Sequence, residues 1–338
     1  MPLSLGILDQ SPIRSGGTAA QAIAETLALA RLADQLGYAR YWLAEHHSSG
    51  AFAGPAPEIL IGRVASETSR IRVGSGGVML GNYSPLKVAE CFRLLETLHP
   101  GRIDLGIGRA PGAMPRASLA LRNGSQGGPD VTEKLRLVLG FLTDQLAAEP
   151  LYRGVHAVPR GAGMPELWLL GSGAESGALA GELGIAFCYA HFIQGEGPEA
   201  LDAYRRSFRP SPWLAAPRSA LGVSAVCAEH EEEARALTLS AACWAVRLVM
   251  GKGGTFPSAE EIEAQRPTFT PEEIELLEAR RAQIVAGAPE QVRARLVDLA
   301  QRYGTDELFV VTITPDFESR KRSYALLAQA FGLLPEAP

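Results

Sequence analysis

Short apolar segments alternate along this chain with longer stretches in which apolar residues recur every three or four positions. The apolar segments lie at residues 3–8, 40–44, 71–80, 103–107, 167–170, 185–189, 220–227 and 308–313. The intervening stretches predict amphipathic helices at residues 18–37, 56–69, 84–99, 131–146, 175–183, 198–208, from 231 onward and at 318–331. Because parallel strands need crossover helices, this alternation predicts a parallel α/β sheet. Eight strands are also the number that closes a (β/α)8 TIM barrel, with a doubly wound open sheet as the alternative.

Two connections in this pattern are longer than a barrel needs. Residues 110–130 follow the fourth strand, and residues 251–270 follow the seventh. The second connection leads into two additional predicted helices, at 271–285 and 289–303. We therefore expect a barrel with insertions after strands 4 and 7. Gly37 is expected to end the first helix, as glycine commonly does.

The composition is that of an ordinary globular protein, with 46% hydrophobic and 20% charged residues among 338. We predict a single domain over residues 1–333 and a frayed tail at 334–338. The 32 basic and 37 acidic residues leave a net charge of −5, which argues against nonspecific binding to nucleic acid or membranes. The four cysteines have no CxxC spacing, and the N-terminus has no signal-peptide pattern. We therefore expect a reduced, cytoplasmic protein.

A glycine-rich turn at residues 171–177 follows the fifth strand and leads directly into a helix. The exposed N–H groups and the dipole of a helix N-terminus favour an anion, most often phosphate. Ser172 and Ser176 add hydroxyl donors, and Arg109, at the end of the fourth strand, suits bidentate contact with a phosphate. The glycines, Gly173 among them, follow GxGxxxG rather than the dinucleotide pattern GxGxxG. The alternatives are an ordinary strand–helix turn and a surface salt bridge.

Two adjacent histidines, His46 and His47, follow the second strand. Because neighbouring residues of a strand point to opposite faces, one ring is expected to face the site while the other packs outward. His46 is then a candidate acid, base or hydrogen-bond donor. The alternatives are two structural histidines, or a zinc hydrolase with Asp9 and His191 as further ligands. Asp9 and His191 are otherwise weaker candidates for lining a substrate pocket.

The third strand contains four small residues, 74–77, where a parallel strand is normally rich in valine and isoleucine. Glycine inside a strand often marks the close approach of a ligand or of another backbone. A flat ring lying against Gly76 and Gly77 would explain this pattern, and a β-bulge is the alternative.

Taken together, these segments resemble the bacterial luciferase-like flavin-dependent monooxygenases, in particular the short branch that emits no light. The resemblance covers nearly the whole chain and rests on residues 41–47, 71–90, 101–112, 167–184, 287–296 and 306–331, in that order. It implies a (β/α)8 barrel, usually a homodimer, that binds FMN. Such an enzyme uses reduced FMN, supplied by a separate NAD(P)H:flavin reductase, and O2 to oxygenate a small-molecule substrate.

The resemblance also implies roles for individual residues. His46 matches the catalytic histidine beside the flavin, and Gly76–Gly77 matches a cis peptide bond that supports the flavin ring. Arg109 and the turn at 172–176 match the residues that hold the flavin phosphate. Residues 251–270 fall where the family often has a mobile lid, which would shield the reaction from water.

The chain departs from the family pattern at two positions. Gly108 stands where luciferase has a reactive cysteine, so we expect no luminescence. Leu119 replaces an arginine that helps to hold the phosphate, and either Arg116 or Arg122 compensates or FMN binding is weakened. Two alternatives therefore stay open, a flavin carrier or storage protein without turnover and a deazaflavin-dependent oxidoreductase on the same barrel.

Overall fold

The structure, a computed structural model, describes residues 3–110, 112–124, 130–161 and 163–333. The predicted tail at 334–338 lies outside these residues. The described strands are β1 (Ser4–Asp9), β2 (Arg40–Leu43), β3 (Arg72–Ser75), β4 (Val78–Met79), β5 (Ile103–Gly108), β6 (Glu166–Gly171), β7 (Ala186–Tyr189), β8 (Ser219–Cys227), β9 (Val285–Gly287) and β10 (Glu307–Val311). The described helices are α1 (Ala19–Leu36), α2 (Pro57–Glu67), α3 (Pro85–Leu98), α4 (Pro115–Leu121), α5 (Val131–Leu142), α6 (Ala174–Glu182), α7 (His191–Gln194), α8 (Glu199–Ser207), α9 (Glu231–Leu237), α10 (Leu239–Val249), α11 (Ala259–Gln265), α12 (Pro271–Ala282), α13 (Pro289–Tyr303) and α14 (Phe317–Phe331).

The parallel strands close into a ring. They follow the order β10, β1, β2, β3, β5, β6, β7, β8, and β8 pairs with β10 to complete the circle. In the closing register Leu308 lies beside Leu221, and Glu307 lies beside Ser4 of β1. A closed ring of this kind with intervening helices is a (β/α)8 TIM barrel. The predicted fold class is confirmed, and the open-sheet alternative is wrong.

Two strands differ from the predicted pattern. The third apolar segment forms two strands, β3 and β4, which lie on either side of Gly76 and Gly77 and both pair with β5. β9 begins at the last residue of the helix predicted over 271–285 and pairs with β8, with Val285 beside Ala225. At three residues it is too short for a strand periodicity to be recognised in the sequence.

Both insertions contain a helix that the sequence pattern did not predict. α4 lies within 110–130, of which residues 111 and 125–129 are outside the described part of the chain. α11 lies within 251–270 and begins at a capping box formed by Ser258 and Glu261. The long helix expected from residue 231 is divided into α9 and α10. The helices α4, α9 and α11 have seven residues each, so the helical repeat has too few turns to be recognised in their sequences.

The ends of α1 show how local sequence sets the bounds of a helix. The Thr18 side chain accepts a hydrogen bond from the Gln21 backbone N–H at 3.2 Å, and the Gln21 side chain accepts one from the Thr18 N–H at 2.8 Å. Gly37 follows the helix with φ of 85°, in the left-handed region that glycine adopts without steric cost. The predicted helix end at Gly37 is confirmed.

Aromatic rings fill the barrel interior, and an ion cluster closes one end of it. Trp42 stacks on Phe309 with ring centroids 3.6 Å apart. At the amino ends of the strands, the buried Arg40 donates to Asp104 and to Glu307, each at 2.6 Å. The accessible end of the barrel is therefore the one formed by the carboxyl ends of the strands, where the site of such a barrel lies. In the described part of the chain, no helix is long and apolar enough to cross a membrane.

Candidate active site

Two neighbouring cavities open at the carboxyl ends of the strands. The inner cavity has a volume of about 230 Å³, and its lining includes Gly76, Gly77, Gly108, Arg109, Ser172 and Ser176. The outer cavity has a volume of about 620 Å³, and its lining includes Phe52, Trp244, Phe256 and Ile313. Both cavities are bordered by Gln10, His46, Phe192 and Ile193. A ligand that extends from one cavity into the other therefore passes His46.

An anion site lies at one end of the inner cavity. α6 begins after Gly173, which provides no side-chain cap, so its first N–H groups are free to bind a ligand. Arg109 Nη1 donates to the buried Ser176 Oγ at 3.1 Å, and Ser172 lies on the same wall. A Cβ atom built on Gly173 would meet nothing within 4 Å. The structure thus brings together the four residues predicted to bind an anion, and a guanidinium, hydroxyls and a helix N-terminus suit a phosphate.

Arg109 also binds a carboxylate on its exposed side. Its Nη2 donates to Glu175 Oε1 at 2.8 Å, and the hydrogen bond and charge of Arg109 lower the pKa of Glu175. The Glu175 side chain is 84% exposed. Exposed ion pairs of this kind are worth little, so a phosphate with several donors around it can take the place of this carboxylate.

One wall of the inner cavity carries no side chains at Gly76 and Gly77, and the peptide bond between them is cis. Close packing around these two residues also requires glycine. A Cβ atom on Gly76 would lie 2.6 Å from Leu8 Cδ1, and one on Gly77 would lie 2.7 Å from the Gly106 carbonyl oxygen. The bare backbone therefore offers a flat surface to a ligand and also lets the strands approach one another.

His46 lies where the two cavities meet. Its ring stacks on Phe52 with centroids 4.2 Å apart, and its backbone N–H donates to the Gly54 carbonyl at 3.0 Å. Its Nδ1 atom is buried and has no hydrogen-bond partner in the described residues. Burial, helped by the nearby His47, lowers the pKa of His46 from 6.5 to about 4. The imidazole is therefore neutral at pH 7 and can accept or donate a hydrogen bond without carrying a charge.

The depressed pKa of His46 predicts a loss of stability in acid. The folded pKa of about 4 lies below the unfolded value of 6.5, so between these values the unfolded chain takes up a proton that the folded chain does not. This contribution is fully present above pH 6.5 and disappears as the pH falls towards 4. Between pH 7 and pH 5 the wild type should lose about 2 kcal/mol more than His46→Gln. Urea unfolding of both proteins at the two pH values measures the difference. Equal losses of unfolding free energy in the two proteins would contradict the lowered pKa of His46.

His47 belongs to a different cluster. The buried Glu45 carboxylate accepts hydrogen bonds from the Met79 N–H at 3.0 Å and from the Tyr83 hydroxyl at 2.8 Å, and it lies 2.7 Å from His47 Nε2. Burial raises the pKa of Glu45, while these three partners oppose the rise. The cluster ties the end of β2 to β4 and so fixes the segment that carries His46. His47 also borders the outer cavity, so it does not pack outward as expected.

Asp9 does not line the cavities, contrary to the expectation from its position after the first strand. It is fully buried, accepts hydrogen bonds from Arg320 Nη2 at 2.7 Å and from the Tyr41 hydroxyl at 2.5 Å, and caps the Ser11 N–H at 2.8 Å. Burial favours a higher pKa, but the charge of Arg320 and these hydrogen bonds hold the pKa of Asp9 below its usual value. Asp9 is therefore a structural anion between the barrel and α14.

His191 is also displaced from the expected position. It packs edge-on against Tyr303 at 5.8 Å, and burial lowers its pKa. The next two residues, Phe192 and Ile193, border both cavities instead.

Arg122, in the insertion after the fourth predicted strand, binds the protein backbone. Its Nε donates to the Ser118 carbonyl at 3.1 Å, so this guanidinium caps the end of α4, the helix that carries Leu119.

The zinc alternative has no geometric support. Asp9 is bound to Arg320 and His47 is bound to Glu45, so the side chains that a zinc site would need do not point to a common position. Within the ranges that the structure describes, no group of three His, Cys, Asp or Glu side chains is arranged to hold a metal ion.

Several lining residues were not predicted from the sequence. Trp244 and Phe256 form an aromatic cluster with Phe52 at the outer cavity, with Trp244 and Phe52 centroids 5.2 Å apart. Arg280, on α12, also lines this cavity. These residues are far apart in the chain and two of them lie on amphipathic helices, where their spacing resembles that of ordinary core or surface positions. No sequence signal of a single chain distinguishes them.

A barrel with this arrangement at the carboxyl ends of its strands has clear relatives. The family model described as luciferase-like monooxygenase matches residues 3–307. The chain belongs to the luciferase-like monooxygenase family and is an oxidoreductase, which confirms the resemblance found in its sequence.

Three similar proteins span the same length. The uncharacterized protein YwcH of Bacillus subtilis (strain 168) is 44% identical over 335 residues, which cover 97% of this chain and 99% of that protein. An N-acetyl-S-alkylcysteine monooxygenase of the same organism is 37% identical over 330 residues, covering 97% and 98%. The crystal structure of apo-MsnO8 superposes with a TM-score of 0.90 at 42% identity and covers 99% of each chain.

Proposed function

We propose that this protein is an FMN-dependent monooxygenase that uses reduced FMN and O2 to oxygenate a small organic substrate. The observation that carries the proposal is the anion site of Arg109, Ser176 and the start of α6, which lies in the same cavity as the flat Gly76–Gly77 wall. The similarity to an N-acetyl-S-alkylcysteine monooxygenase supports an oxygenation of this type.

The residues present fit FMN. Arg109, Ser172, Ser176 and the N–H groups after Gly173 would hold the phosphate, and the bare backbone of Gly76 and Gly77 would support the ring. Reduced FMN, when bound, supplies the electrons for the activation of O2. The buried Nδ1 atom of His46 has no partner among the described residues, which indicates that a ligand lies at the junction of the two cavities, because a buried polar atom without a partner is costly.

His46 is proposed as the catalytic residue. Its stacking on Phe52 fixes the ring, and its neutral state lets it hold or move a proton at the junction of the two cavities. The outer cavity would hold the substrate. We propose that residues 251–270 act as its lid, because Gly254 and Phe256 border that cavity and a covering segment would exclude water.

The proposal includes partners and location. An NAD(P)H:flavin reductase would supply the reduced FMN, and the protein would act as a homodimer in the cytoplasm. Its four cysteines are free in the structure, in keeping with a reducing compartment.

Removal of the Arg109 guanidinium tests the phosphate assignment. Arg109→Ala should weaken FMN binding about 10- to 100-fold, as expected for the loss of a charge-assisted hydrogen bond, and should change riboflavin binding far less. Calorimetric titration with each ligand measures both affinities. Arg31→Ala, which removes an exposed arginine on α1, serves as the control. Equal losses for FMN and riboflavin would show that Arg109 does not bind the phosphate, and tight binding of a deazaflavin without FMN binding would overturn the cofactor assignment.

A further inference from the structure

The outer cavity is mostly apolar, with several further polar side chains and a single guanidinium in its lining. Its walls include Phe52, Trp244, Leu248 and Ile313. Among the lining residues that the structure describes, Arg280 is the one with a permanent charge. A cavity of about 620 Å³ with this lining suits a small molecule with an apolar body.

The Arg280 guanidinium is only partly satisfied by the described residues. Its Nε atom is buried and has no hydrogen-bond partner among them, whereas its Nη1 donates to the neutral Gln283 Oε1 at 3.3 Å in an exposed contact. Across the described ranges the Arg280 guanidinium forms no ion pair, so no carboxylate oxygen lies within 4.0 Å of its nitrogen atoms. Buried donors without an acceptor are costly, so a polar group of a ligand is the expected partner.

Arg281, the next residue on α12, has a guanidinium whose donors are bound by protein acceptors. Arg281 donates to Glu278 at 2.8 Å, to the Arg235 carbonyl at 3.1 Å and to Thr238 Oγ1 at 3.3 Å. It does not line the outer cavity. The contrast separates a structural arginine from one whose donors face a ligand site, and it provides a matched control.

The chemistry of the cavity selects a carboxylate over a phosphate. A guanidinium fork matches the two oxygens of a carboxylate. A phosphate carries more charge, and in this protein the site suited to it combines Arg109 with hydroxyls and a helix N-terminus. The outer cavity offers one permanent cation in a mostly apolar lining, which balances one negative charge.

We propose that the substrates of this enzyme are small carboxylic acids with an apolar body, and that Arg280 binds the carboxylate. The inference rests on the proposed function for its reaction. Arg280 borders the outer cavity alone, whereas His46 borders both cavities. The carboxylate is therefore held at the outer site, and the apolar body extends towards His46, where oxygenation takes place.

A pair of probes that differ in charge tests the proposal. 4-Phenylbutyrate and its neutral amide have the same apolar body, and Trp244 in the cavity wall reports their binding through its fluorescence. The wild type should bind the acid at least about tenfold more tightly than the amide. Arg280→Gln should abolish this preference, Arg281→Gln should preserve it, and Arg280→Lys, which keeps the charge without the fork, should keep part of it.

Titration of the same variants with FMN separates this inference from the proposed function. Arg280→Gln should bind FMN as the wild type does, because Arg280 does not border the inner cavity. Equal affinities for acid and amide in the wild type, no binding of the acid up to its solubility limit, or an equal loss for both probes in Arg280→Gln would each overturn the carboxylate assignment. If the wild type does not bind FMN, that result would instead overturn the proposed function.

Discussion

Replacement of His46 by alanine is expected to lower the rate of substrate oxygenation by about 100-fold while leaving the affinity for reduced FMN nearly unchanged. The imidazole lies at the junction of the two cavities, and its Nδ1 atom has no protein partner among the described residues. Its neutral state at pH 7, which follows from a pKa of about 4, allows it to accept or donate a hydrogen bond during the reaction without carrying a charge. The residues proposed to hold the phosphate are others, so the affinity for FMN should depend little on this ring.

The experiment compares product formation and flavin affinity in the same variants. Product is measured with the first carboxylic acid that the wild type oxygenates, and affinity by anaerobic titration with reduced FMN. His230→Ala is the control, because His230 precedes α9 without capping it through its side chain. Oxygenation by His46→Ala at the wild-type rate would show that His46 has no catalytic role.

Asp9→Ala is expected to lower the free energy of unfolding by about 3–5 kcal/mol. The substitution leaves the buried Arg320 guanidinium without its carboxylate and removes one of the two acceptors of the Tyr41 hydroxyl, the other being the Thr26 carbonyl. An uncompensated buried charge is among the most destabilising changes in a protein interior.

Equilibrium unfolding in urea at pH 7 measures this loss. Glu318→Ala provides the comparison. Glu318 lies on α14, the helix that carries Arg320, and its side chain is 81% exposed and pairs with Lys321 at the surface. This substitution should cost less than about 1 kcal/mol. A similarly small cost for Asp9→Ala would mean that Arg320 finds another partner or solvent, and the structural assignment of Asp9 would fail.

The barrel was predictable because its signals are repeated along the chain. Eight alternations of apolar segment and amphipathic helix specify a parallel sheet, and α13 (Pro289–Tyr303) has the bounds that its pattern predicts. β9 and α11 could not be recognised, since three and seven residues contain too little periodicity to separate them from a loop.

The candidate site was predictable where its residues are close in sequence. The turn that carries Ser172, Gly173 and Ser176 is local, and its glycines and hydroxyls indicate an anion without any tertiary information. Arg109 follows the strand beside the one that precedes this turn, so the parallel order of the barrel brings it to the same cavity.

Position at a strand end does not specify the direction of a side chain, and this explains the error for Asp9. Leu8 points into the barrel and packs with Trp42, so the alternation of β1 places Asp9 on the outer face, where Arg320 of α14 lies. The position of Arg280 at the cavity could not be predicted from the sequence for a different reason. Arg280 lies on an inserted helix, and only the folded chain brings that helix to the cavity.

Calorimetric titration with reduced FMN under anaerobic conditions, repeated with oxidised FMN, tests the central claim most directly. An enzyme that takes reduced FMN from a reductase and releases it oxidised should bind the reduced form tightly and the oxidised form at least about tenfold more weakly. Equally tight binding of both forms would contradict this use of FMN and favour a carrier. Binding of neither form would contradict the FMN assignment itself and would identify Leu119 as a loss that the remaining phosphate-site residues do not compensate.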